Sequence, residues 1–322
     1  MSDDNEKEDD NNKYKIRRNV ATVSNEQRTR FRDAILAVND KFYPDGVSYW
    51  FKQDQIHQAS DVHGSPSFLT WHRELLNRYE AMLKEVDDEV ALHYWDWTTD
   101  PRHSPDGKGG FVNLFTSDFI GNSEGLAGAP LSGNLDKNGI YEGSRNQTGD
   151  PAAPPQSITR NMQTGAPIIP PDLDVINSAN HLSIDQQWAT FRVNLEDGIL
   201  HNSLHGWIGG NIASGDTAFE DPFVFMFHSN IDRLWAMWQT APGYDWRLNA
   251  DQIYGIEGSD PKITENLEPW AGASSMRPWA SPDNQQFAKN SKHPSIIMPP
   301  QYDTMATLRS NRNELDTESL SH

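Results

Sequence analysis

The chain contains no cysteine, which excludes disulfides, thiolate metal sites and cysteine nucleophiles. Any transition metal it holds must be bound by imidazole or carboxylate. Cations are scarce too: 27 Lys and Arg stand against 46 Asp and Glu, a formal net charge of −19. Nucleic acid and anionic membrane surfaces, which need clustered Lys and Arg, are therefore not expected partners. No apolar run approaches the roughly 20 residues of a membrane-spanning helix. The N-terminal MSDDNEKEDDNNKYK has neither the basic nor the apolar region of a signal peptide, so a cytoplasmic location is the default expectation. Strand-like alternation is sparse, and no repeat of solenoid or propeller period occurs. Oligomeric state leaves no mark in the sequence.

What is present is aromatic and apolar. The 322 residues are 36% hydrophobic, enough for one large core, and include 11 Trp, 9 Tyr and 13 Phe, many beside histidines. Residues 1–15, a run of charge and Asn, are expected to be a disordered acidic tail. Residues 16–322 read as a single domain that becomes loop-rich from about 242. SNEQRTRFRDAILAVND (24–40) predicts a helix with a Ser24 N-cap and Gln27 three residues on. Tyr49, Trp50, Gln53, Ile56 and His57 fall at helical spacing on a second, shorter helix. A long third helix is predicted after Ser65 as cap and Pro66 in the first turn, with Phe68, Leu69, His72, Leu75, Leu76, Tyr79, Met82 and Leu83 on its apolar face. Residues 101–183, rich in Gly, Pro, Asn and Ser, read as long ordered loops. Helical pattern returns at 184–195, in HNSLHGW, and in FHSNIDRLWAMWQ, which His228 is expected to open, with Phe227, Ile231, Leu234, Trp235 and Trp238 as its stripe. After Pro242, PWAGASSMRPWASP (269–282) is the piece with most apparent order.

Six of the 11 histidines fall at inward-facing helical positions or helix entries. His201 and His205, four apart, put their imidazoles one turn apart on one face, a geometry that chelates a metal. His228 follows, with Asp232 one turn later as a carboxylate placed to orient a ligand histidine. Upstream, His63 sits in a loop before the helix carrying His72, and His57 lies six residues earlier. A single buried histidine is more often a satisfied core residue than a ligand, but six buried imidazoles each need a partner. All-imidazole ligation suits Cu or Zn better than Mg, Ca or Mn. No HExxH motif of a zinc hydrolase occurs, so the pattern favours copper, with a zinc-dependent hydrolase as the alternative that metal analysis separates.

HGSPSFLTWHRELLNRYE resembles the A-copper motif of the type-3 copper proteins, the tyrosinases, catechol oxidases, o-aminophenol oxidases and molluscan-type haemocyanins. HNSLHGWIGG followed by DPFVFMFHSNIDRLW resembles the B-copper motif, and YWDWTTDP (94–101) is similar to a segment between the two. The resemblance implies a mainly α fold, a four-helix bundle core housing a dinuclear copper site, with long irregular loops and few short strands. It implies His57, His63 and His72 on one copper and His201, His205 and His228 on the other, with dioxygen as co-substrate and small phenols as substrates. No histidine precedes His57, which takes the first A-site place; relatives that cross-link this ligand use a cysteine absent here. Many relatives carry His-His where this chain has Phe227-His228, and SNIDRLW aligns His228 as the ligand.

The activity so implied is oxidation of o-diphenols to o-quinones and, in tyrosinases, prior o-hydroxylation of a monophenol. In tyrosinases a glutamate upstream of the first B ligand and an asparagine after it are thought to hold a water that accepts the phenol proton; Glu196 and Asn202 match those places. Gly206, where relatives often carry a bulkier side chain, is expected to open the substrate entrance. Arg73 and Asp232 are expected to pair and brace two ligand helices. Trp71, Trp95, Trp97 and Trp207 read as core packing. The alternatives are a catechol or o-aminophenol oxidase without monophenolase activity, and a non-catalytic haemocyanin-like oxygen carrier, whose relatives block the site with an extra β-rich domain not evident after residue 242.

Overall fold

A computed structural model describes residues 16–43, 46–116, 118–121, 158–197, 199–269 and 289–304. The acidic tail 1–15 and the PWAGASSMRPWASP piece beyond Pro269 lie outside them. In chain order the elements are β1 (Ile16–Arg17), α1 (Asn25–Asn39), α2 (Tyr49–Gln58), α3 (Phe68–Lys84), β2 (Ser104–Pro105), β3 (Phe111–Val112), α4 (Asp172–Asn177), α5 (Ile184–Glu196), α6 (His201–Ile208), α7 (Phe223–Gln239), α8 (Pro261–Thr264), α9 (Pro294–Ile297) and β4 (Gln301–Tyr302), with short 3-10 turns between α6 and α8. The fold is mainly helical, and its strands, two residues each among the described residues, form the pairs β1–β4 and β2–β3.

Local chemistry explains most helix starts. Ser24 and Gln27 form a reciprocal capping box at α1, and the Ser48 hydroxyl accepts from Phe51 N at α2. α3 departs from the sequence expectation: Ser65 turns back to Val62 O at 2.8 Å, and the helix begins only at Phe68, after Ser67. α7 also begins earlier than predicted. Asp221 accepts from Phe223 N at 2.9 Å, so the helix starts at Phe223 and His228 sits in its second turn. All 17 of its residues are buried, so no single stripe exists: the helix is the centre of the core, enclosed on every side. Within the stretch read as loop, Asp172–Asn177 forms helix α4, which covers α7 and pairs Asp172 with Arg233 at 2.7 Å.

α3 and α7 pack directly, with the Tyr79 and Phe225 rings stacked at 3.6 Å between centroids. A buried ionic group locks the pair. Asp232 of α7 accepts from Arg73 Nε of α3 at 2.5 Å, from Arg17 Nη1 of β1 at 3.0 Å and from the Tyr302 hydroxyl of β4 at 2.8 Å. Arg17 continues to Glu80 Oε2 at 2.9 Å and Asn77 Oδ1 at 3.0 Å, both on α3. The Arg73 guanidinium lies 3.4 Å over the Trp235 ring and donates to Gln239 Oε1 at 2.7 Å. Both ends of the described chain are thereby fastened to the helix pair through one carboxylate. Removing it takes from buried Arg73 its carboxylate partner and from buried Arg17 one of two, so Asp232→Ala is expected to cost about 3–5 kcal/mol in denaturant unfolding. A loss under about 1 kcal/mol would show that the network contributes little.

Candidate metal centre

His57 is on the inner face of α2 and His72 on that of α3, with His63 on the connecting loop. The turn after His63 needs a glycine, because Gly64 has φ +70°. Ring centroids are 5.0 Å apart for His57 and His63, 5.6 Å for His57 and His72, and 5.7 Å for His63 and His72. His57 Nδ1 bonds Gly215 O at 3.0 Å and His72 Nδ1 bonds Phe68 O at 2.8 Å. A carbonyl can only accept, so both Nδ1 atoms carry the proton and both Nε2 atoms are bare acceptors. These two Nε2 atoms are buried with no hydrogen-bond partner, while His63 is exposed along one edge.

His201 and His205 lie one turn apart on α6, and His228 projects from α7. His205 Nδ1 is held by Ile212 O at 2.5 Å, His228 Nδ1 by Val224 O at 3.0 Å and His201 Nδ1 by Asn202 Oδ1 at 2.9 Å. The three Nε2 atoms therefore point at one another, 3.0 Å between His201 and His205 and 3.2 Å between His201 and His228. α6 is seated by a close backbone approach: Gly210, at φ +62°, lies where an added Cβ would meet Thr159 O at 2.0 Å. That approached segment is anchored by Arg160, doubly bonded to Asp221 at 2.6 and 2.7 Å.

The two triads adjoin through the stacked rings of His72 and His228, 4.8 Å apart. Phe68 packs on His63, His72 and His201, and Phe219 on His57, His72 and His228, so each phenylalanine spans both triads and keeps the surroundings apolar. Burial, followed by the proximity of neighbouring histidines, pushes His57 down to about 3 and holds His72, His201 and His228 well below the ordinary imidazole value. Burial lowers His205 to about 4, and lowers His63, whose ring is enclosed by the others despite its exposed edge. In each triad, nitrogen atoms from all three residues come within 4.8 Å of one another. Converging unprotonated imidazole nitrogens in an apolar shell repel unless a cation lies between them. Two groups of three neutral imidazoles, with no carboxylate or thiolate, are a donor set that suits copper.

The other sequence-predicted residues divide. Glu196, buried at the end of α5, accepts from Gly64 N at 2.7 Å, beside His63, and burial, opposed by that bond, pushes it up to about 7. Asn202 takes different partners, His201 and, at 3.2 Å, Asp197 Oδ1. Gly206 is exposed and a Cβ there meets nothing within 4 Å. Arg73 and Asp232 do pair, but Asp232 does not orient His228: its oxygens are taken by Arg17, Arg73 and Tyr302, and Val224 O holds the imidazole. Trp71, Trp95, Trp97 and Trp207 are buried, Trp71 against both His57 and His72. Sequence reasoning missed Phe68 and Phe219 as walls of the site. For Phe68 the spacing of four to His72 was available; Phe219 has no local signal.

The buried imidazoles make stability depend on pH. Unfolded histidines take up protons near pH 6.5, whereas these stay neutral well below it. Between about pH 6.5 and 4 the unfolded state binds more protons, so the copper-free protein loses stability as pH falls through that window. Asp54, raised to about 8, and Glu196 act in the opposite sense, against the six site histidines and His93, which burial lowers to about 4. Calorimetry of the copper-free protein should show the melting temperature falling between about pH 7 and 5. An unchanged or rising melting temperature would contradict buried neutral imidazoles.

Comparison with known proteins agrees with this geometry. The family model for the common central domain of tyrosinase matches residues 5–241. A tyrosinase of Streptomyces lincolnensis is 29% identical over 284 residues, covering 80% of this chain and 93% of the relative. The beta-C chain unit D haemocyanin of Helix pomatia is 28% identical over 245 residues, covering 71% of this chain and 52% of the relative. Among solved structures, a polyphenol oxidase from Thermothelomyces thermophila shares the fold with a TM-score of 0.54 at 18% identity, covering 89% of this chain and 87% of its own. The chain thus belongs to the tyrosinase family and is a type-3 copper oxidoreductase, with two copper ions as cofactor and dioxygen as co-substrate.

Proposed function

We propose that this enzyme hydroxylates monophenols at the ortho position and oxidises the resulting o-diphenols to o-quinones, with His57, His63 and His72 holding one copper and His201, His205 and His228 the other. The observation that carries the monophenolase step is Glu196, a buried carboxyl pushed up to about 7 and fastened beside His63 of the first triad. Paired copper in this site supplies the two-electron chemistry with dioxygen. The protein must take the phenol proton, and a base with a pKa near the working pH does this most effectively.

The Gly64 N–H bond holds one Glu196 oxygen, so the carboxylate is oriented at the A-site loop. Asn202 fixes the tautomer of His201 and stands at the start of α6 on the opposite triad. Asn202 is tied at 3.2 Å to Asp197, the residue after Glu196, so both stand at the junction of α5 and α6, which supports a water held between them as proton acceptor. Exposure of His63 and the open space over Gly206 give a phenol a way in, which favours turnover over oxygen storage.

With the copper-loaded protein, oxygen uptake is expected on tyrosine, catechol and o-aminophenol. Glu196→Gln should lower the rate on tyrosine by about 100-fold or more while catechol oxidation changes only severalfold. Equal losses on both substrates would remove Glu196 from the proton transfer, and catechol oxidation with no tyrosine hydroxylation in the unmodified enzyme would reduce the activity to that of a catechol oxidase. At the entrance, Gly206→Phe should lower kcat/KM for bulky phenols by about tenfold and spare catechol. Unchanged discrimination would place the entrance elsewhere.

A further inference from the structure

His57 is the ligand that sequence places least directly, and the structure shows what keeps it in place. On α2, Trp50, Asp54 and His57 follow at steps of four and three, so they form one inward stripe. All three reach the same short segment, residues 215–219, which belongs to the other half of the site and leads into α7. His57 Nδ1 donates to Gly215 O at 3.0 Å. Asp54 Oδ1 accepts from Phe219 N at 3.1 Å, and Trp50 Nε1 donates to Phe219 O at 3.0 Å. Both backbone groups of Phe219 are therefore satisfied by side chains of α2. Gln58 adds a bond to Asp216 O and another, at 2.8 Å, to Asp54 Oδ2.

What this clamp holds is the wall of the site. The Phe219 ring lies 4.5 Å from His57 and 5.0 Å from His228, and Phe219, Trp50 and Asp54 are all buried. With Nδ1 tied to Gly215 and one face against Phe219, the His57 ring has little freedom to turn, and its Nε2 is left aimed at the centre. Asp54 is fully buried. Its burial is explained by the Phe219 amide, which has no water to bond and must find an acceptor in the protein.

We propose that Asp54 and Trp50 are positioning residues for the first A-site ligand: through Phe219 they set the orientation of His57, and with it the affinity of the A triad for copper. This rests on the reading of His57 as a copper ligand. Groups that orient metal-bound histidines commonly change metal affinity by about 10- to 100-fold. What Asp54 contributes to Phe219 is the acceptor Oδ1, which an asparagine oxygen reproduces; only the bond from the exposed Gln58 is given up.

The test is copper titration of the copper-free protein against a competing chelator, read as stoichiometry and affinity without reference to activity. The unmodified chain should bind two coppers and His57→Ala one tightly; two tight coppers in His57→Ala would overturn the ligand reading itself, whatever Asp54 does. Asp54→Leu should keep one tight copper and weaken the other by about tenfold or more, while Asp54→Asn, which retains the acceptor, should stay within about threefold of the unmodified chain. The double variant His57→Ala, Asp54→Leu should hold its remaining copper as His57→Ala does, because the weakened copper is the one already lost. Unchanged affinities in Asp54→Leu, or equal losses in the Leu and Asn variants, would overturn the proposal. If Asp54→Leu does not fold by circular dichroism, Trp50→Phe, which removes the other bond to Phe219, decides: selective weakening of one copper sustains the proposal and two unchanged coppers overturn it.

Discussion

Asp232 is a single carboxylate shared by two guanidiniums that have been withdrawn from water, and the rest of the architecture is measured from that arrangement. It joins α7 to α3 at the level of the metal centre, four residues after His228 and opposite the residue that follows His72. The bonds are directional and buried, so the two helices cannot slide past each other without exposing an unpaired charge to an apolar interior. The stacking of His72 on His228 at 4.8 Å follows from that fixed register. β1 and β4, carrying Arg17 and Tyr302, close over the same carboxylate and bring two distant parts of the sequence together.

Against this rigid pair, the centre is assembled by oxygen atoms that hold the outer nitrogen of five imidazoles. Four are backbone carbonyls, from Phe68, Ile212, Gly215 and Val224, and one is the Asn202 amide oxygen. Two of the carbonyls belong to the first turns of the ligand's own helix, four residues back, so α3 and α7 orient His72 and His228 by helical geometry alone. His57 and His205 instead depend on segments elsewhere, which is why loops 159–163 and 211–219 are pinned so closely. The result is five imidazoles whose unprotonated nitrogens face inward in an apolar shell, a metal centre whose ligands need not lose protons when copper binds near neutral pH.

The helices that were legible in the sequence are those with one wet face or a local cap. Ser24 and Gln27 mark α1 because the capping box is made entirely of neighbours, and the apolar steps of α3 mark it because its polar residues largely segregate. α7 was legible as a helix but not in extent. Buried on all sides, it has no polar face to reveal its period, and Asp221, which starts it, is also occupied by a long-range arginine. α4 was hidden among prolines. In the site, the spacing of four between His201 and His205 is local and readable. Of the partners of Asp232, Arg73 was expected but Arg17 and Tyr302 were not: a carboxylate one turn after a histidine on a helix points toward it in sequence, and these competing donors come from residues 17 and 302.

By itself, then, the sequence determined the chemistry available: no thiolate, six histidines at inward positions, a mainly helical chain and motifs of a dicopper family. These are properties of residue type and near-neighbour spacing, which periodicity and caps express directly. Only the tertiary structure decided that the His57 imidazole turns its Nδ1 to Gly215 and its Nε2 inward, that Glu196 lies against the A-site loop, and that α2 grips Phe219 through Trp50 and Asp54. Each of those outcomes is a hydrogen bond between residues more than 100 positions apart or a competition between acceptors. Such bonds are chosen by burial, because a polar group shut away from water takes whichever partner the completed fold brings within reach.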